Sequence, residues 1–146
     1  MEQSATEMIQ KGVKAMKQGN TLVAMMAFEE AAKVDSSPTL MAYRGQCIAM
    51  ERHEYRKGLA LCKQAVEQDP NNSNLWLIFG RTCLLAGKKP TAIKAFRRGL
   101  KVGRNPAIAA ELKLLGQRKS PVIDSLDREH PINRYLGIVF HKLGLR

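Results

Sequence analysis

A chain of 146 residues with 45% apolar and 25% charged side chains has the size and make-up of one folded domain, which excludes wholesale disorder and a second independent core. Aromatics make up only 5% while Ala, Leu, Lys, Met and Gln are plentiful, so the composition favours helix over strand. The net charge of +11 suggests an anionic partner or surface and says nothing about fold.

In chain order, Ser4-Ala5-Thr6-Glu7 has the spacing of a capping box, in which the Ser hydroxyl and the Glu carboxylate satisfy orphan backbone donors. Met8, Ile9, Val13, Ala15 and Met16 follow at helical spacing, and Gly19-Asn20 ends that helix because both residues tolerate a left-handed backbone. A second helix is expected from Thr21 to Val34, carrying Leu22, Met25, Met26, Phe28, Ala31 and Ala32. Ser37-Pro38, Asp69-Pro70-Asn71-Asn72 and Asn105-Pro106 punctuate the chain, with Pro at a first helical position where its missing N–H costs nothing. Pro106 to Leu115 reads as a lone amphipathic helix with Ile108, Leu112 and Leu115 on one stripe. Residues 116–121 read as a linker, and Val122, Ile123 and Leu126 as a short apolar element. The tail from Pro131 to Gly144 places Ile132, Leu136, Val139, Phe140 and Leu143 on one helical face.

The chain also superimposes on itself at a shift of 34 residues. Phe28, Cys62 and Phe96 form one series, and Ala31, Ala65 and Gly99 another. Ala24, Gly58 and Ala92 recur at the same interval, as do Gly19, His53 and Gly87, and Asp35, Asp69 and Gly103. Small residues such as Gly12, Gly80, Ala24 and Ala92 are expected where two helices of a pair approach closely, with Phe28 and Phe96 filling the gap to the following helix. The third unit, Trp76-x2-Phe79-Gly80-x2-Cys83…Gly87…Ala92-x3-Phe96, closely resembles the tetratricopeptide-repeat (TPR) consensus, and the first matches it through Gly12, Gly19, Ala24, Phe28 and Ala31. The second is degenerate: Gln46 stands where the spacing expects Gly, with Gly45 one place earlier, and an extra residue in the turn at 52–55 would reconcile them.

The resemblance, to small three-repeat proteins of bacterial type, implies an all-α fold. It is a right-handed α/α superhelix of three TPR helix pairs, at about 5–38, 39–72 and 73–104, followed by a capping helix (105–116). A linker and an amphipathic C-terminal helix packed on the repeats (117–146) complete it. In that family the first helix of each pair lines the concave face. Carried over, the lining is Ile9, Val13, Met16 and Lys17, then Tyr43, Arg44, Cys47 and Met50, then Asn74, Leu77, Ile78 and Arg81. TPRs that clamp the C-terminal carboxylate of heat-shock chaperones need Lys and Asn in first-repeat positions held here by Ile9 and Val13. A carboxylate there would be desolvated without compensation, which argues against that specificity.

The function expected is therefore a non-catalytic scaffold that binds another protein or peptide segment, helical or extended, in an apolar groove. The chain's own C-terminal helix, in cis or in a homodimer, has the same apolar character. The alternative is a basic surface on the third unit, Lys94, Arg97, Arg98 and Lys101, opposite Ile93, Phe96 and Leu100, binding RNA, an anionic membrane or an acidic partner. The lack of exposed aromatics for base stacking disfavours nucleic acid.

No catalytic site, metal or cofactor is expected. His53, His130 and His141 have no partners at ligand or triad spacing, no phosphate loop or serine elbow is present, and His53 replaces a turn glycine. Cys47, Cys62 and Cys83 are odd in number and widely separated, so buried free thiols are expected. The polar start from Met1 to Glu7 and the absence of any apolar run near 18 residues point to a cytoplasmic protein with no transmembrane segment.

Overall fold

Every helix begins where the sequence supplies an acceptor for orphan amides or a turn that fixes the entry angle. The computed structural model describes residues 4–116 together with Lys142 and Gly144. But for those two positions, the linker, short apolar element and tail helix expected beyond residue 116 lie outside the described residues, as do His130 and His141. The helices are α1 (Ala5–Lys17), α2 (Thr21–Ala31), α3 (Pro38–Arg52), α4 (Tyr55–Gln68), α5 (Ser73–Leu85), α6 (Lys89–Val102) and α7 (Pro106–Gly116). Packing divides the chain into Met1–Leu112 and Lys113–Arg146, and the first of these units holds all three helix pairs and the start of α7.

Ser4 Oγ accepts from the Glu7 amide at 3.3 Å, and Ser37 Oγ accepts from Leu40 at 3.4 Å with Pro38 behind it. Asn105 does the same for α7, its Oδ1 accepting from the Ala107 and Ile108 amides at 3.1 and 3.3 Å. The tight turns within the pairs keep the period of the sequence. Gly19, His53 and Gly87 all have positive φ, at 78°, 55° and 72°, and each is followed by one residue before the next helix. His53 is the one non-glycine residue among the described positions to take this conformation.

The second pair differs at the end of its first helix: α3 runs to Arg52, directly before His53, whereas α1 and α5 stop two residues before Gly19 and Gly87, so the extra residue expected at 52–55 is taken up at the end of α3. The second unit also differs in how its helices meet. In the first and third pairs an aromatic ring covers a glycine: a methyl at Gly12 would lie 2.7 Å from Phe28 Cζ, and one at Gly80 would lie 2.6 Å from Phe96 Cδ1. In the second pair, where Cys62 replaces the phenylalanine, backbone meets backbone. A methyl at Gly45 would lie 2.6 Å from the Gly58 carbonyl oxygen, and one at Gly58 would lie 2.5 Å from that of Gly45. Gly45 is thus the contact glycine of α3, eight residues before His53, whereas Gly12 and Gly80 stand seven before Gly19 and Gly87.

Two corrections concern α2 and α6. α2 ends at Ala31, three residues before Val34, because Asp35 accepts from the Ser37 amide at 3.0 Å and from its hydroxyl at 2.8 Å and so draws the chain out of the helix. Leu22 and Met26 on α2 are exposed, and so is Leu100 on α6, although it was expected with Ile93 and Phe96 on the face opposite the basic residues.

The pairs α1–α2, α3–α4 and α5–α6 pack in sequence, α2 on α3 and α4 on α5, with α3 also touching α5. This is an all-α, solenoid-like arrangement. Phe28 bridges the first two layers: it is fully buried, lies under Gly12 and stacks on Tyr43 of α3 with ring centroids 5.2 Å apart. Ala24, Ala92, Cys62 and Ala65 are wholly buried, and α7 seats Ile108 over Gly99.

The three thiols belong to this core. Cys62 Sγ donates to the Ala42 carbonyl at 3.4 Å and lies 3.4 Å from Thr82 Oγ1. Burial pushes Cys47 and Cys62 up to about 12 and Cys83 to about 11 from an ordinary 9.0, with smaller contributions from neighbouring groups. Below pH 9 the thiols are neutral whether folded or not. Above it the unfolded chain releases their protons first, so this part of the stability is lost as the pH rises towards 11 and 12. The urea midpoint is therefore expected to fall between about pH 8 and about pH 10.5, more steeply than in a Cys47→Ala/Cys62→Ala/Cys83→Ala variant. Equal slopes would mean that the thiols titrate freely in the native state.

Candidate peptide-binding groove

A helix turns 100° per residue, so side chains three, four and seven apart share a face. Val13, Met16 and Lys17 of α1 stand in that relation, as do Tyr43, Gln46 and Met50 of α3 and Asn74, Leu77, Ile78 and Arg81 of α5. The fold brings these three faces together around one cleft of about 380 Å³. An adjoining hollow of about 320 Å³ shares Gln46, Met50 and Arg81 and adds Leu84 and Leu85, which extends the groove along α5. Every lining residue comes from the first helix of a pair.

The surface is mainly apolar with two cations. Arg81 is engaged, its Nε donating to Glu111 Oε1 at 2.7 Å from α7, which leaves little net charge at that point. Lys17 has no ion pair among the described residues. Burial raises the Tyr43 hydroxyl above its usual value, offset in part by the Arg81 charge, so it stays protonated and available as a donor at neutral pH.

Of the residues expected here, Val13, Met16, Tyr43, Met50, Asn74, Leu77, Ile78 and Arg81 line the cleft, with Lys17 beside them. Cys47 does not: it is fully buried in the core formed with Phe28 and Leu40. Arg44 points the other way, pairing with Glu29 of α2 through Nε at 3.3 Å and Nη2 at 3.2 Å. Ile9 is partly buried against the same core and lies outside the cleft lining. Gln46, Leu84 and Leu85 were missed. The spacing of Gln46 from Tyr43 and Met50 is the signal that places it in the groove.

On α6, Lys94, Arg97, Arg98 and Lys101 are all exposed. None has an ion pair among the described residues, and Arg98 lies 5.7 Å above the Trp76 ring, whose Nε1 donates to the Pro70 carbonyl at 2.8 Å. Among the described residues no three His, Cys, Asp or Glu side chains are grouped to hold a metal ion, and no helix is long and apolar enough to cross a membrane.

The same arrangement of paired helices characterises a known family. Residues 49–115, from the end of α3 into α7, match the tetratricopeptide-repeat model, and the pairing of α1 with α2 repeats the same unit upstream. Residues 49–115 are tetratricopeptide repeats. The chain is similar in structure to the first TPR of Spaghetti (RPAP3) bound to an HSP90 peptide, SRMEEVD (TM-score 0.62, 22% identity, covering 78% of this chain and 94% of that one). It is also similar to the Arabidopsis OM64 TPR domain (TM-score 0.59, 22% identity, covering 79% and 97%) and to the Sgt2 TPR domain from Aspergillus fumigatus (TM-score 0.60, 16% identity, covering 89% and 93%). At these identities the likeness is one of fold. No curated protein matches the sequence.

Proposed function

We propose that this TPR protein is a non-catalytic interaction scaffold whose groove takes a peptide segment with an apolar face. One observation carries the reading: three helices of separate repeats turn Val13, Met16, Tyr43, Met50, Leu77 and Ile78 into one continuous cleft instead of burying them all in the core. Methionines suit such a surface because their side chains repack around ligands of different shape. The Spaghetti domain, similar in fold, holds a chaperone peptide, which supports a peptide as the class of ligand. The carboxylates of such a peptide fit poorly here. Val13 stands where the family's clamp needs a polar side chain, and Arg81 is already paired with Glu111.

A labelled peptide with the sequence of residues 131–146, apolar at helical spacing, is a suitable probe. It is expected to bind in fluorescence anisotropy, with at least about tenfold loss for Met50→Glu, while SRMEEVD binds weakly or not at all. Tight binding of SRMEEVD, or indifference to Met50→Glu, would sink the reading.

A further inference from the structure

We infer that the junction of α6 and α7 is a second docking surface, separate from the groove, which takes an acidic polypeptide segment carrying an apolar anchor side chain. The first observation is Leu100. It is 40% exposed on a helix whose other large aliphatic and aromatic side chains, Ile93 and Phe96, are partly or wholly buried. It borders a cleft of about 570 Å³ whose remaining walls are Gly103, Arg104, Asn105, Pro106 and Ala109.

The second observation is the charge around that cleft. Arg97 lies one turn before Leu100, Lys101 beside it in sequence, and Arg104, two residues past the end of α6, in the wall of the cleft. All three are exposed, with no ion pair among the described residues. No Asp or Glu occurs between Pro70 and Ala110 to neutralise them. The uncharged polar side chain of the cleft asks for nothing: Asn105 already donates to Ser73 and Asn74 and accepts from Ala107 and Ile108. The unsatisfied remainder is an apolar patch with Arg104 in its wall and Arg97 and Lys101 on the helix that carries Leu100. Carboxylates alone would leave Leu100 in water, and an apolar ligand alone would leave the cations without partners. A chain that alternates acidic side chains with an apolar one answers both.

Two other classes of anion fit less well. Single-stranded nucleic acid binds on free aromatic faces. The aromatic nearest the stripe, Trp76, has its N–H bonded to Pro70 and Arg98 over its ring. A membrane surface takes apolar side chains that project as a row from an amphipathic helix. Here one leucine borders a recess.

The test uses the full chain and a labelled peptide of alternating Asp and Glu around a single central leucine. Anisotropy is expected to show binding that weakens with salt, loses about tenfold when the peptide leucine becomes alanine, and disappears in Arg97→Glu/Lys101→Glu/Arg104→Glu. Leu100→Ser is expected to abolish the preference for leucine over alanine while retaining binding to the acidic residues. Circular dichroism and retained binding of the groove probe confirm that these surface variants are folded and that the two sites are distinct. Equal affinity for the leucine and alanine peptides, insensitivity to charge reversal, or tighter binding to oligouridylate or to phosphatidylserine vesicles would each overturn the proposal.

Discussion

Phe28→Ala is expected to lower the unfolding free energy by about 3–5 kcal/mol, the range for emptying a buried aromatic site, against a total of about 5–15 kcal/mol for a domain of this kind. The ring is fully buried and touches three helices: it covers Gly12 of α1, belongs to α2 and stacks on Tyr43 of α3. Its loss therefore loosens the first pair and the seam to the second together. The same contact sets the sign of a second effect. Gly12→Ala in the native chain drives a methyl group to 2.7 Å from Phe28 Cζ, which strains the packing. In the Phe28→Ala background that space is empty. The same methyl then fills part of the cavity and gains about 1 kcal/mol of helix propensity. Gly12→Ala should therefore destabilise the native protein and stabilise the variant, a sign reversal that a double-mutant cycle by urea denaturation detects. Additive effects would mean that ring and glycine are not in contact.

The repeat was legible because its signals are local. A left-handed turn residue, small side chains and a phenylalanine recur at one period, and each is required by geometry within a single pair. His53 was legible for the same reason, since its place is fixed by Gly19 and Gly87. The groove was only partly legible. Cys47 and Gln46 are neighbours, and one residue is 100° of helix rotation, enough to exchange core for cleft. Polarity steers a reader towards Cys47 as the apolar one, yet the packing of α3 buries it and turns Gln46 to the cleft. Arg44 leaves the groove for Glu29 on another helix, and Glu111 reaches Arg81 from α7. Cross-helix pairs of this kind have no signature in the periodicity of either partner. The exposure of Leu100 likewise depends on where α7 begins, which the pattern of α6 alone does not contain.

Gly45 and Gly58 give the opposite behaviour to Gly12. At an open helical site Gly→Ala gains about 1 kcal/mol. At Gly58 the new methyl meets the Gly45 carbonyl oxygen at 2.5 Å and the Ala49 methyl at 3.1 Å, and at Gly45 it meets the Gly58 oxygen at 2.6 Å. An oxygen held in a helical backbone cannot rotate away as a side chain can, so α3 and α4 must separate as bodies. Either substitution is expected to destabilise by about 1–3 kcal/mol net, towards the upper end for Gly58. No truncation of a neighbouring side chain restores it: Cys62→Ala should leave the Gly45→Ala penalty largely in place, whereas Phe28→Ala reverses that of Gly12→Ala. The displacement also reaches the groove, because α3 carries Tyr43, Gln46 and Met50 on the face next to the one that holds Gly45. Weaker binding of the 131–146 peptide by Gly58→Ala under conditions where the variant remains folded would tie the helix contact to the cleft. A stabilised Gly58→Ala variant would show that the two backbones do not meet as described.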